Sequence, residues 1–198
     1  MLYTETDYTD QVFREVHLEQ AHLVSNEFHD CVFDRCSFVE TTFRSCRFVN
    51  CIFLHCDLSL VQVPNCSFAA TRFESSKVIG VNWTKAHWPA TRLWGSICFS
   101  KCAISHSTFI GLNLRRIQIQ DCVAVNVDFR ETDLSQADLA GTDLSDSLFL
   151  TTDLTEADLS RAYNYRIDPS QNTVKKAKFS LPEAISLLYS LDIVLIEE

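Results

Sequence analysis

The chain has 198 residues, 46% of them hydrophobic and 22% charged, with a formal net charge of −9. Enough apolar residues are present to build a core, which excludes a disordered chain, and no run of 18 apolar residues exists to span a bilayer. The acidic balance disfavours direct nucleic-acid binding, and the N-terminus, Met1-Leu-Tyr-Thr-Glu-Thr-Asp, is acidic where a secretory signal would be basic and then apolar, so a cytoplasmic protein is expected.

From Phe13 a large apolar residue recurs every fifth position through Leu18, Leu23, Phe28, Phe33, Phe38, Phe43, Phe48, Phe53 and Leu58 to Leu93. After one inserted residue, within 94–98, the run resumes at Phe99. It continues through Ile104, Phe109, Leu114, Ile119, Ala124, Phe129, Leu134, Leu139, Leu144, Phe149 and Leu154 to Leu159. Only Phe179 of the 14 phenylalanines lies outside it. A second column, two residues before each centre, holds small or β-branched residues: Cys31, Cys36, Thr41, Cys46, Cys51, Cys56 and Cys66, later Cys102, Ser107, Cys122, Thr132, Ala137, Thr142 and Ala157. Neither a helix of period 3.6 nor a strand of period 2 places both columns on one buried face. A fixed repeat of this kind signals a solenoid, in which each unit buries its apolar side by stacking on its neighbours.

Units such as Cys31-Val32-Phe33-Asp34-Arg35, Ala137-Asp138-Leu139-Ala140-Gly141 and Thr142-Asp143-Leu144-Ser145-Asp146 resemble the pentapeptide repeat family. Counting centres gives 17 up to Leu93 and 13 from Phe99, so 30 units. The resemblance implies an all-β, right-handed quadrilateral β-helix with four units per coil over residues 1–162. That makes about seven and a half coils, or roughly 36 Å at about 4.8 Å per layer.

The cysteines admit three readings. Cys31 and Cys51, Cys36 and Cys56, Cys46 and Cys66, and Cys102 and Cys122 are each 20 residues apart and stack in a four-sided coil. Parallel side chains in one column do not suit a disulfide dihedral, and C-x-x-C spacing for zinc is absent, so buried packing thiols are expected. Four glycines build no phosphate-cradling loop, and His17, His22, His29, His55, His87 and His106 are scattered without a recurring catalytic partner. No enzyme activity, cofactor or metal is expected.

Charge is uneven. Asp121, Asp128, Glu131, Asp133, Asp138, Asp143, Asp146, Asp153, Glu156 and Asp158 face only Arg130 within residues 121–160, so ten acids against one base give −9. Asp before the centre is part of the repeat pattern, so the stretch admits a structural reading. It equally suits attraction of basic grooves. In the middle, Trp83 and Trp88 occupy successive centres, and Trp94 stands next to Gly95 at the register break. Indoles filling a widened coil and an outward contact by Trp94 are both open.

After Leu159 the pattern is expected to end in a loop, with residues 163–198 forming a capping and dimerising tail. Ser180 and Glu183 read as a capping box for a helix that aligns Ala184, Leu187, Leu188 and Leu191, followed by a strand-like run from Ile193 through Leu195 to Ile196. The spacing of Ala184, Leu187, Leu191 and Ile193 is similar to the C-terminal dimerisation segment of the Qnr group of pentapeptide repeat proteins, as is the unit Cys56-Asp57-Leu58-Ser59-Leu60. That resemblance implies a homodimer joined at the tail, mimicking DNA and binding DNA gyrase or topoisomerase IV to give resistance to topoisomerase poisons. The acidic residues would be the contact surface. A register break of only one residue between Leu93 and Phe99 favours plain inhibition over drug displacement, because protective Qnr proteins commonly carry loops projecting from the coil. The competing reading is an interaction scaffold unrelated to topoisomerases.

Overall fold

Each five-residue unit forms one side of a coil because its backbone alternates a short extended segment with a left-handed corner. The computed structural model of the protein describes residues 6–88, 97–191, 193 and 196. Two residues after the centres, Trp83 and Phe179 excepted, φ turns positive, from 54° at Asp10 through 60° at Leu60 to 58° at Lys176, and 70° at Gly111 and Gly141. Left-handed backbone is uncommon outside glycine. Here it recurs every fifth residue, so the strain is offset by the stacking that the corner permits.

Strands pair in parallel at an offset of 20 residues, which makes a coil of four units. On one side Phe13, Phe33, Phe53 and Phe73 stand directly above one another. We label the four sides faces A to D in chain order, with Tyr8, Phe13, Leu18 and Leu23 as their first centres. Face A stacks Tyr8, Phe28, Phe48 and Phe68, and face B continues from Phe73 to Phe99 and Ile119. The remaining ladder consists of bridges between residues just before the centres, such as Asp133 to Asp153 and Asp138 to Asp158.

The centres fill the interior. Phe33 and Phe53 stack with centroids 4.6 Å apart, Phe28 and Phe48 at 5.0 Å, and Phe73 and Phe99 at 5.1 Å. Burial of each such ring contributes about 1.5–3 kcal/mol, and stacked pairs add about 0.5–1.5 kcal/mol. Trp83 is buried among Phe68, Phe73, Phe99 and Phe109, and Trp88 donates its Nε1–H to the Trp83 carbonyl at 2.8 Å. These two indoles fill the coil; Trp94 lies outside the described residues.

The small column does more than fill space. Its thiols and hydroxyls donate to the carbonyl of a centre one coil back: Cys51 to Phe28 at 3.3 Å, Cys66 to Phe43 at 3.0 Å, Thr142 to Ile119 at 2.7 Å and Thr152 to Phe129 at 2.9 Å. A buried carbonyl needs a donor, so Cys, Ser and Thr recur where alanine would only fit. All nine cysteines are free thiols and only Cys98 is not fully buried. Burial pushes the Cys51 thiol up to about 12.

The break in the middle is larger than the sequence pattern suggests. Thr71 pairs with Ile97 and Phe73 with Phe99, an offset of 26 residues, where Arg72 and Ile52 keep the usual 20. The chain between Trp88 and Ile97 therefore holds six residues beyond the need of one coil, not one. A whole extra unit of five preserves a five-residue register, so counting centres cannot detect it. Leu93, expected as a centre, lies outside the described residues, and a one-residue break no longer speaks for plain inhibition.

The coil also runs past Leu159. Asp158 and Leu159 pair with Lys178 and Phe179, and Asp153 bridges to Thr173, so Phe179 is the ninth centre of face B rather than an outlier. From Phe13 this column climbs eight layers, about 38 Å at about 4.8 Å per layer. Asn164 and Pro169 interrupt two centre positions, and the interior there is filled instead by Tyr165 and Ile167, 1% and 2% exposed.

The expected capping box is absent. The Ser180 hydroxyl accepts from the Arg161 N–H at 3.0 Å and Glu183 Oε1 accepts from the Asn164 N–H at 2.6 Å, so both side chains tie the tail to the coil below. A 3₁₀ turn, Glu183–Ile185, leads into one short helix, α1, Ser186–Tyr189. Leu187 packs against the core, whereas Leu188, Leu191 and Ile193 are exposed. Leu195 lies outside the described residues.

Candidate functional site

The acidic residues are placed by the repeat itself. An aspartate just before a centre turns its Oδ1 to the backbone N–H two residues on: Asp133 to Ser135 at 2.9 Å, Asp138 to Ala140 at 3.1 Å, Asp143 to Ser145 at 3.1 Å, Asp153 to Thr155 at 2.8 Å and Asp158 to Ser160 at 2.9 Å. Asp128 does the same for Arg130 at 3.1 Å. These bonds tie the corner that follows, a local side-chain-to-backbone device that short acidic side chains perform well.

Three of these carboxyls are held below their ordinary range. Arg130 beside Asp128 holds its carboxyl below the usual range. Partial burial pushes Asp143 up, but hydrogen bonds from Ser145 and Asn164 outweigh it and leave it lowered. The Ser160 hydroxyl and then Lys178 bring Asp158 down to about 2.

They do not form one face. Ladder positions put Asp133 and Asp153 on face A, Asp138 and Asp158 on face B, Asp143 on face C and Asp128 on face D, while Asp121, Glu131, Asp146 and Glu156 sit at corners. Cations answer several of them. Arg130 pairs with Asp128 at 2.7 Å and Lys178 with Asp158 at 2.9 Å. Glu156 ends a corner ladder in which Arg116 donates to Gln136 at 2.8 Å, Gln136 donates to Glu156 at 2.9 Å, and Lys176 stands 4.0 Å away.

The sequence reading missed where these cations come from. Residues 161–180, of which 163–180 were expected to lie outside the repeat, form the next coil and carry Arg161, Arg166, Lys175, Lys176 and Lys178 against Asp168 alone. Among the described residues Asp121, Glu131, Asp133, Asp138, Asp143, Asp146 and Asp153 retain no ion pair with a base. The 20-residue spacing from Asp158 to Lys178 was the signal that could have exposed the pairing.

Models of known families match most of this ladder. A model described as a pentapeptide repeat region matches residues 26–97, and one described as pentapeptide repeats (8 copies) matches residues 97–136 and 132–163. The chain belongs to the pentapeptide repeat family. No curated protein sequence matches it. Among solved structures this pentapeptide repeat coil is similar to a trypsin-treated variant of QnrB1, a plasmid-mediated fluoroquinolone resistance protein, with a TM-score of 0.68 and 17% identity over 93% of this chain and 100% of that one. Full-length QnrB1 aligns with a TM-score of 0.57 and 18% identity over 92% of this chain and 100% of that one. The likeness is one of fold: a β-solenoid of about eight turns closed by a short C-terminal helix.

No helix of the described residues is long and apolar enough to cross a membrane. The chemistry on display is that of a surface: regularly spaced carboxylates held by hydrogen bonds, exposed corners, and an apolar C-terminal tail.

Proposed function

We propose that this pentapeptide repeat protein is a non-catalytic binding module that docks its charged rod into the DNA-binding groove of a type II topoisomerase. The observation that carries the reading is the architecture shared with QnrB1 along nearly the whole chain, a coil of this length ending in a short helix. Asp133 and Asp153 on face A, and Asp138 and Asp158 on face B, stand one layer apart, at about 4.8 Å. A groove lined with Lys and Arg for phosphates attracts such an array electrostatically. Asp121, Glu131, Asp133, Asp138, Asp143, Asp146 and Asp153, unpaired with bases, supply most of that attraction. The exposed tail residues Leu188, Leu191 and Ile193 join two rods end to end, which doubles the charged surface. The outcome for the enzyme is protection from a poison such as a fluoroquinolone, or inhibition by occupying the DNA site.

One observation favours a second reading, an interaction scaffold unrelated to topoisomerases: six of the ten carboxylates have a structural task in their own corners. The experiment therefore avoids those six. The protein is titrated into gyrase and topoisomerase IV supercoiling, relaxation and DNA-cleavage assays, with and without a fluoroquinolone, beside an Asp121→Lys/Glu131→Lys variant. Both positions are left-handed corners, where Lys101 and Lys176 show that lysine is accommodated. Drug rescue or inhibition that the variant loses supports docking through charge. No effect on either enzyme leaves the scaffold.

A further inference from the structure

Face B is the longest unbroken ladder of the coil, with six strands hydrogen-bonded in one sheet from Val12–Arg14 to Gln118–Gln120. Its outward column, one residue before each centre, passes in successive layers through Arg72, Cys98, Gln118 and Asp138. The corner that follows the same face stacks Lys101 on Asp121, at left-handed positions two residues past Phe99 and Ile119. Arg72, Lys101 and Asp121 are exposed. None of the three, nor Asp138, has an ion pair among the described residues.

Along the rod the signs of these four unanswered charges run plus, plus, minus, minus in four successive layers: Arg72, Lys101, Asp121, Asp138. That order reverses sign about the level midway between Phe99 and Ile119. A two-fold axis lying across the face at that level lays a second rod antiparallel on the first, and each layer meets the one equally far beyond the axis, in the same column. Arg72 then meets Asp138 of the second copy, and Lys101 meets its Asp121. Both contacts repeat by symmetry, so two lysines and two aspartates alternate in sign around the axis. The column positions between them, Cys98 against Gln118 and Ser100 against Gln120, are neutral. Shifting the axis by half a layer sets Lys101 on Lys101 or Asp121 on Asp121, and like charges placed opposite each other repel, so one register is specified.

We propose that face B is a self-recognition surface on which two copies of this chain lie side by side and antiparallel. A five-residue side is at most about 16 Å across, and the eight layers that overlap span about 34 Å, so roughly 550 Å² of each rod is covered. A standard stable interface covers about 800 Å² per partner. The contact is therefore transient and salt-sensitive, dissociated in dilute solution, and separate from the end-to-end contact of the tail. While it lasts it covers Asp121 and Asp138, so it competes with docking of the rod to a basic groove. That consequence rests on the topoisomerase reading; the contact itself does not.

Cys98 reports the contact, because it is the one cysteine that is not fully buried. With one layer of about 4.8 Å along the rods and about 10 Å between packed sheets, the two Cys98 residues stand about 11 Å apart across the axis. In an end-to-end pair each lies four layers below its own end at Phe179, so the two are roughly 38 Å apart or more. The concentrated full chain is treated with a short bismaleimide at mildly alkaline pH, since burial pushes the Cys98 thiol up. A Cys98-to-Cys98 product, assigned by mass spectrometry and absent from Cys98→Ser, is expected at about 0.01 M salt. Its yield should fall about fivefold or more at about 1 M salt, where the Debye length is only about 3 Å. Lys101→Asp and Asp121→Lys should each lower the yield about as much, and Lys101→Asp/Asp121→Lys should restore it, which neither misfolding nor a dulled thiol can mimic. No such product at low salt, a yield indifferent to salt, or a double exchange as poor as its singles overturns the proposal. The readout is on the isolated chain, so its failure leaves the topoisomerase reading standing, and a restored cross-link beside inert topoisomerase assays removes that reading instead.

Discussion

Lys178 stands 2.9 Å from Asp158, 20 residues earlier in sequence and directly beneath it in the coil. The pair joins the final layer to the acidic stack of face B, where Asp158 itself lies over Asp138. Like charges in neighbouring ladder positions repel, and a cation at the end of the stack relieves them. Ser160 and then Lys178 lower the Asp158 carboxyl to about 2, from an ordinary value of 3.8. A depressed folded value means that the unfolded chain binds the proton more readily. The stabilisation is therefore complete above about pH 4 and is lost as pH falls from there through about 2. Lys178→Met should raise the Asp158 pKa measured by carboxylate NMR and change stability at neutral pH little, since the pair is at the surface. An unmoved Asp158 titration would show that the Ser160 bonds alone set it.

The interior depends on hydroxyls as well as rings. Thr142 is fully buried, donates to the Ile119 carbonyl at 2.7 Å and accepts from the Cys122 N–H at 3.3 Å. Thr142→Val keeps the shape and strands both backbone groups, so it should destabilise the protein by about 1–3 kcal/mol in urea unfolding. Thr142→Ser retains the hydroxyl and should recover most of that. If valine proved as stable as threonine, the column would be selected for size alone.

The five-residue period made a solenoid legible in the sequence, because neither a helix nor a strand puts centres such as Phe33 and Phe53 on one buried face with Cys31 and Cys51, and the resemblance to the pentapeptide repeat family implied its four sides. What the period could not reveal follows from the same regularity. A six-residue addition before Ile97 hides five of its residues in the register. Asn164 and Pro169 break the apolar column although Val174 and Phe179 resume it. Ser180 and Glu183 have the spacing of a capping box, and the spacing is silent on whether their partners lie in the helix or in the coil below; here Arg161 and Asn164 claim them. The acidic stretch was equally visible, but its meaning depends on what stacks above it. Lys176 and Lys178 neutralise Glu156 and Asp158, while Asp133 and Asp146 are left facing solvent on different sides.

The tail offers a last expected outcome. Leu187 packs against the core, so replacing it disturbs the cap whether or not two chains meet there. Leu188 and Leu191 are 38% and 48% exposed, with Tyr189 and Ile193 exposed beside them, an apolar end larger than closure of one rod requires. A two-fold contact between two such ends buries that surface and is self-complementary. Light scattering should then report twice the 22.6 kDa chain mass for the native protein and a single chain for Leu188→Asp/Leu191→Asp, with the β-helix circular dichroism unchanged. A native protein that already scatters as one chain would assign this end to another partner, and a variant that keeps the doubled mass would move the contact elsewhere on the rod.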